Sequence, residues 1–327
     1  MIKLGATFCP FCHEVPVRAP LPGTPLGAVI YPAYIKILDM HSEELFFEHH
    51  FDFGPLENFT VFLDIERKAI TVQGKSKKGF VRYKIENDSF HFLKPEKSSI
   101  TFTQPYPHMT HKREKLFFGC YKAQDIFSIR RRMQLSEIIP FWYLLAQSFP
   151  KQDDRSFEEP SLYAEAYACK DKNLFKEKLI DLFQAGFSGL FFPRLRDEDH
   201  LGYTLPVLTK ERGISPVLLL QKSFGLLRKS FFQEGEGKLF FLPFLPKELP
   251  FGKMIDVQTK KGHTIAFEWT KRKVKCVKIQ PVEDESFSLI FDKSIKRCRV
   301  NKSEWIENGA QVQLKRGRAL FLDRFEK

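Results

Sequence analysis

The residues best suited to acid–base chemistry are concentrated in one loop-like stretch before an apolar helix pattern. They are Arg194, Arg196, Asp197, Glu198, Asp199 and His200. Glycoside hydrolysis uses two carboxyl groups, about 5–5.5 Å apart for retention or about 6.5–9.5 Å apart for inversion. Asp197 and Asp199 are too close in sequence to flank a sugar together, so either would need a distant partner such as Glu165 or Glu268. The stretch yields three catalytic candidates, Asp197, Asp199 and His200. It also yields two ligand-binding candidates, Arg194 and Arg196; the alternative is a solvated acidic loop.

Trp269 is a further candidate for ligand binding. It follows Glu268 in a strand pattern, and the apolar face of an indole ring can stack on a sugar ring. The alternative is that Trp269 packs in the core of a β-sandwich, as most large aromatic side chains do.

Two groups of residues have metal-ligand chemistry but not the spacing of a metal site. Cys9 and Cys12 form a C-x-x-C pair, and no second pair supplies further zinc ligands. Prolines follow the pair, which favours an extended arm over the helix start of a redox site. The paired histidines His49-His50 and His108…His111 also lack a recognisable ligand pattern. We therefore predict no metal and no cofactor.

The chain is basic, with a formal charge of +12 over 327 residues. Residues 251–327 hold 18 Lys and Arg against 10 Asp and Glu, and the densest basic run is Lys271 to Lys278. Such a run is compatible with a groove that follows a phosphate backbone, and equally with the polar outer face of a sandwich. Nucleic-acid binding is therefore an alternative function, although no nucleic-acid-binding motif accompanies the charge.

The hydrophobic pattern divides the chain into two β regions separated by a short helical region. Apolar and polar residues alternate over residues 59–65, and turn residues recur about every 8–12 positions, which is typical of a sandwich or barrel. The spacing then becomes helical, and Ser215-Pro216 has the residue types of a helix start. We predict a mixed, mainly β fold. Its units are an N-terminal antiparallel β-sandwich domain with an extended arm (1–132), a helical segment (133–234) and a C-terminal β-sandwich domain (235–327).

The composition excludes several classes of protein. Hydrophobic residues make up 43% of the chain, which excludes wholesale disorder, and no apolar run reaches the roughly 20 residues of a membrane span. The first residues lack the apolar core of a signal peptide, and six scattered cysteines do not suggest a disulfide scaffold. We expect no membrane partner and a cytoplasmic location.

Four segments of the last third resemble a known family. They are Pro216-Val-Leu-Leu-Leu-Gln221, Gly225-Leu-Leu-Arg228, Leu242-Pro-Phe-Leu-Pro-Lys-Glu-Leu-Pro250 and Gly262-His-Thr-Ile-Ala-Phe-Glu-Trp269. They are similar to the C-terminal region of glycoside hydrolase family 95, the alpha-L-fucosidase-like enzymes. In that family, a Leu-Leu-Gln helix closes a ring-shaped barrel of helices and a β-sandwich follows. The resemblance implies kinship in fold and carbohydrate as the ligand class.

The sequence departs from this family where the family's catalysis takes place. About 100 residues lie between the two β regions, which is room for about four to six helices and too few for a closed double ring. The family's catalytic base belongs to an Asp-Gly-Asn motif before the Leu-Leu-Gln helix, and residues 200–206 contain neither Asp nor Asn. The resemblance therefore implies a non-catalytic relative that binds carbohydrate or has a structural role. An active hydrolase using residues 197–200 is the alternative.

Overall fold

The computed structural model describes residues 8–106, 113–119, 124–150, 161–169, 171–187, 190 and 216–327. The described part of the chain is mainly β, with 44% of its residues in strands and 21% in helices. Two groups of sheets are separated along the chain by a short helical segment, which confirms the predicted fold class.

The N-terminal region consists of two antiparallel sheets that pack face to face. Its strands are β1 (Phe11–Cys12), β2 (Val17–Pro20), β3 (Leu26–Tyr31), β4 (Tyr34–Asp39), β5 (Leu45–His50), β6 (Glu57–Asp64), β7 (Ala69–Ser76), β8 (Gly79–Glu86), β9 (Ser89–Lys94) and β10 (Ser98–Thr101). The larger sheet has the order β1-β6-β7-β8-β9-β10, and the smaller has the order β2-β3-β4-β5. Val81, Tyr83 and Ile85 of β8 are buried, so the alternation of the sequence places one face of the larger sheet in the core.

The helical segment contains α1 (Ile126–Arg132), α2 (Leu135–Ala146), α3 (Ser161–Ala168), α4 (Lys172–Phe187) and α5 (Pro216–Phe231). Asp125 caps α1, because its carboxylate accepts hydrogen bonds from the backbone N–H groups of Phe127 (3.2 Å) and Ser128 (3.4 Å). Pro216 is the first residue of α5, where proline's missing N–H costs no helical hydrogen bond. The helix α5 packs against both α2 and α4.

The C-terminal region is a second pair of packed sheets. Its strands are β11 (Lys115–Phe117), β12 (Phe232–Gly235), β13 (Lys238–Phe241), β14 (Gly252–Gln258), β15 (Thr264–Thr270), β16 (Lys273–Gln280), β17 (Glu285–Ile290), β18 (Arg297–Val300), β19 (Glu304–Glu307), β20 (Gln311–Leu314) and β21 (Leu320–Glu326). One sheet has the order β11-β14-β15-β16-β21-β18-β19, and the other has the order β12-β13-β17-β20. The strand β11 belongs to this region in space, although in sequence it lies before the helices.

A buried polar junction links the helices to the C-terminal sheet. The carboxylate of Glu114, whose side chain is 7% exposed, accepts hydrogen bonds from Arg228 Nε on α5 (3.0 Å) and from the backbone N–H of Gln258 (2.9 Å). The hydroxyl of Tyr143 on α2 donates to the same carboxylate. Because each oxygen of Glu114 has a partner, the junction carries a buried charge without an unsatisfied acceptor.

Candidate functional site

A ladder of aromatic rings leaves the N-terminal core along the end of β5. Phe47, His49, Phe51 and Phe53 occupy alternate positions; the first two lie on β5, and the last two follow it, where residues 52 and 53 form a turn. Successive ring centroids are 6.1, 5.0 and 4.8 Å apart, and the rings of Phe51 and Phe53 are stacked. Phe47 is anchored in the core against Phe90 at 5.3 Å. The ladder therefore continues the hydrophobic core outward to the surface.

The outer end of the ladder forms one wall of an open groove of about 360 Å³. The groove lies at one end of the N-terminal sandwich, between the segment after β5 and the ends of β7, β8, β9 and β10. Its lining is His49, Phe51, Asp52, Phe53, Ser76, Lys78, Val81, Phe92, Lys94, Pro95, Glu96 and Ser98. The volume falls within the range of about 300–1,000 Å³ that is usual for small-molecule sites.

The groove combines aromatic faces with hydrogen-bonding groups. Phe51 and Phe92 supply apolar surface, with ring centroids 6.0 Å apart in an edge-on arrangement. Asp52, Lys94 and Glu96 are exposed at the rim. A predominantly apolar pocket with a few polar side chains is the usual composition of a ligand site, because the polar groups orient what the apolar groups hold.

Tyr83 packs directly against the aromatic wall of the groove. Its ring centroid is 4.9 Å from that of Phe51 and 5.8 Å from that of Phe92, and the residue is fully buried. Its hydroxyl has no hydrogen-bond partner among the described residues. Burial raises the pKa of this phenol well above its usual value, so the hydroxyl keeps its proton.

The catalytic and ligand-binding candidates of residues 194–200 lie outside the described residues. Both carboxylates suggested as their distant partners are described. Glu165 on α3 pairs with Lys178, and Glu268 on β15 lies 3.6 Å from each of Lys253 and Lys275.

Trp269 is part of the C-terminal core, where it is 1% exposed. Its indole N–H donates to the carbonyl of Leu249 at 3.1 Å, and its ring lies 5.9 Å from both Phe118 and Phe267. This environment leaves no face of the ring free for a sugar. Trp269 therefore has the second of the two roles that its sequence allows, which is packing in the core of the C-terminal sheets.

The C-x-x-C pair is found on extended chain next to β6. Cys12 belongs to β1, which pairs with β6 through Cys12 and Val61, and the residue is fully buried. Burial raises the pKa of both Cys9 and Cys12 to about 11. Since the thiolate is the form that binds metals and attacks disulfides, this environment disfavours either chemistry at neutral pH.

Among the described residues, one group of side chains has metal-ligand types close together: His263, Glu283 and Glu285. The backbone N–H of Val282 donates to His263 Nδ1 at 3.1 Å, so the proton of the neutral ring lies on Nε2. That nitrogen donates to Glu285 at 2.8 Å, and the ammonium of Lys261 lies 3.0 Å from the same carboxylate. The group is therefore satisfied as an ion-pair and hydrogen-bond network that fixes the β14–β15 hairpin.

The basic run of residues 271–278 covers the turn of the β15–β16 hairpin and most of β16. Lys271 and Arg272 form its turn, both with positive φ, and Lys275 pairs with Glu268. None of the cations in this run lines the groove described above.

The sequence interpretation did not identify the groove residues Phe51, Phe53, Phe92 and Lys94. For His49, the sequence suggests only metal-ligand chemistry. The signal that could have found part of the site is the period-2 aromatic run from Phe47 to Phe53, which extends past the last residue of β5. The contributions of β8, β9 and β10 depend on strand pairing and have no local signature.

No protein-family model matches the chain, and no curated protein sequence matches it significantly. Among the described residues, none of the helices has both the length and the apolar character needed to cross a membrane.

Proposed function

We propose that this is a non-catalytic carbohydrate-binding protein whose ligand occupies the groove at the end of the N-terminal sandwich. The observation that carries the proposal is the half-buried ring of Phe53, which stacks on the buried Phe51 at the opening and has polar side chains around it. The C–H faces of a sugar ring can lie against such aromatic faces, while its hydroxyls reach groups such as Asp52 and Glu96.

The resemblance to glycoside hydrolase family 95 supports the ligand class, and the departures from that family argue against its reaction. The family's barrel needs many more helices than the five that the described part of the chain contains. The groove itself offers the carboxylates Asp52 and Glu96, and both are exposed. General acid–base pairs of glycosidases depend on enclosure to tune the two carboxyl groups apart, so this groove is better suited to binding than to hydrolysis.

The test is binding to an array of oligosaccharides by the natural sequence and by Phe53→Ala. Phe53 is half-buried and lies at the outer end of the ladder, so its removal takes away stacking surface with little loss of core. We expect at least tenfold weaker binding, equivalent to about 1.4 kcal/mol. Phe251→Ala is the matched control, because Phe251 is 51% exposed and lies outside the groove.

Equal losses of affinity in Phe53→Ala and Phe251→Ala would contradict the proposed site. Failure of the natural sequence to bind any sugar on the array would contradict the proposed function. The same sugars are then incubated with the protein in a hydrolysis assay. Turnover that disappears in Asp199→Ala would favour the alternative of an active hydrolase using residues 197–200.

A further inference from the structure

The larger N-terminal sheet has a second side that faces away from the core. Val81 and Tyr83 of β8 are buried. Successive side chains of a strand point to opposite faces, so Phe80, Arg82 and Lys84 point to this other side, here called the outer face. None of these three residues lines the groove, whereas Val81 does. The outer face is therefore a surface separate from the proposed sugar site.

Strand pairing extends the outer face to both sides of β8. On β7, Lys75 is opposite Phe80, and Gln73 is opposite Arg82. On β9, Lys94 is opposite Arg82, although Lys94 also lines the groove. Residues directly opposite each other have Cβ atoms about 4.5–5.5 Å apart. The exposed ring of Phe80 therefore has Lys75 beside it on one strand and Arg82 next to it along its own strand.

The next row of the outer face adds two further rings. Thr71 of β7 is opposite both Phe62 of β6 and Lys84 of β8. Lys84 is in turn opposite His91 of β9. All four of these residues are partly exposed. Rings on β6, β8 and β9 thus lie on the same face as the cations.

The charge at the Phe80 end of this face is largely uncompensated. Residues 73–84 contain five Lys or Arg and no Asp or Glu. Lys84 forms an ion pair with Glu86, but no described residue forms one with Lys75 or Arg82. One carboxylate, Glu57 of β6, is opposite Lys75 in the strand register. Two exposed cations therefore flank an exposed ring without an ion-pair partner among the described residues.

We infer that the outer face binds single-stranded nucleic acid, with phosphates contacting Lys75 and Arg82 and a base stacking on Phe80. Proteins that bind single strands combine cations that follow the backbone with aromatic rings on which bases stack. An acidic peptide would require only the cations, so the exposed ring between them favours nucleic acid. The inference goes beyond the proposed function and does not depend on it, because its residues lie outside the groove.

The experiment measures binding of labelled single-stranded DNA and RNA oligonucleotides by fluorescence anisotropy, from about 50 to 200 mM salt. We expect the logarithm of the association constant to fall linearly with the logarithm of the salt concentration. Lys75→Gln and Arg82→Gln should each weaken binding and reduce the steepness of this line by about 0.7, because each removes one phosphate contact. Phe80→Ala should weaken binding about tenfold and leave the slope unchanged, since stacking releases no counterions.

Two variants of the C-terminal region are the controls. Phe251→Ala is matched to Phe80→Ala, because each phenylalanine is 51% exposed. Lys271→Gln removes a cation from the turn of the β15–β16 hairpin, where the longest basic run of the sequence begins. Neither control should change nucleic-acid binding. Urea unfolding of every variant distinguishes a lost contact from a lost fold.

Several outcomes would overturn the inference. They are no binding by the natural sequence, a salt slope near zero, and equal losses in Phe80→Ala and Phe251→Ala. Weaker binding in Lys271→Gln, with none in Arg82→Gln, would place the nucleic acid on the basic run of residues 271–278 instead. A polyglutamate peptide that binds as tightly as the oligonucleotides would show a general polyanion surface.

The groove variant keeps this test separate from that of the proposed function. Phe53→Ala should bind the oligonucleotides normally, because Phe53 belongs to the groove and not to the outer face. Loss of nucleic-acid binding in Phe53→Ala would contradict the assignment to the outer face. Failure on the sugar array with normal oligonucleotide binding would contradict the proposed function alone.

Discussion

Each of the two regions consists of a pair of packed sheets. They differ in how completely aromatic rings fill the space between the sheets and in whether the buried polar atoms have hydrogen-bond partners. In the C-terminal pair, Phe241 contacts Phe267 at 5.3 Å and Phe291 at 5.1 Å, so aromatic rings fill the space between the sheets. Among the described residues from 232 onward, every buried side-chain nitrogen and oxygen has a hydrogen-bond partner. In the N-terminal pair, the aromatic ladder ends at an open groove, and the buried hydroxyl of Tyr83 has no hydrogen-bond partner within the part of the chain that the structure describes.

The difference between the two regions shows that aromatic content alone does not identify a binding site in this phenylalanine-rich chain. Trp269 looks more like a sugar platform in the sequence than Phe53 does, yet Trp269 is enclosed and Phe53 is accessible. The N-terminal groove differs because the half-buried ring of Phe53 lies beside the exposed polar side chains of Asp52, Lys94 and Glu96.

The largest expected effect comes from removing the largest buried aromatic side chain of the C-terminal region. Trp269→Ala should lower the free energy of unfolding by about 3–5 kcal/mol, because it opens a cavity among packed rings. Phe53→Ala should lower it by about 1 kcal/mol or less, since that ring is partly exposed already. Urea unfolding of the two variants measures both values; similar losses would remove the contrast between the two regions.

The next effect tests the junction between the helices and the C-terminal sheet. Glu114→Gln should cost about 3 kcal/mol, because it leaves the charge of Arg228 without its partner in a largely buried site. Urea unfolding is again the measurement, and Glu268→Gln is the control. Glu268 lies on the sheet surface 3.6 Å from Lys253 and Lys275, so its loss should cost at most about 1 kcal/mol. Equal losses of unfolding free energy in the two variants would show that burial does not determine how much each carboxylate contributes to stability.

A smaller effect, of opposite sign, is expected at the wall of the groove. Tyr83→Phe should raise the free energy of unfolding by about 1 kcal/mol, because it removes a buried hydroxyl that has no partner in the described structure. Sugar binding by the variant should be unchanged. Weaker binding together with unchanged stability would mean that the hydroxyl serves the ligand directly.

The smallest effect concerns the pH dependence of the N-terminal region. Burial lowers the pKa of His41 from its usual 6.5, and the nearby Asp39 opposes this only in part. The unfolded chain therefore takes up a proton before the folded chain does, and His41 should reduce stability as the pH falls from 7 through 6.5 toward its folded pKa. The unfolding free energy of His41→Asn should fall less between pH 7 and pH 5. The prediction is wrong if the two curves run parallel.

The overall fold could be predicted from the sequence because local patterns determine it. Alternation marked the strands, and Pro216 marked the start of α5. The membership of β11 in the C-terminal sheet could not be predicted, since three residues carry no information about a partner such as β14, more than 130 positions away. The groove could not be predicted for the same reason. Lys94 and Phe53 line one groove only because β9 and the segment after β5 converge at one end of the sandwich.

The central claim is tested most directly by a crystal structure of the protein with the tightest-binding oligosaccharide from the array. We predict a sugar ring against Phe53, with its hydroxyl groups directed toward the polar side chains of the groove rim. A sugar bound anywhere else on the protein, with this groove empty, would contradict the account.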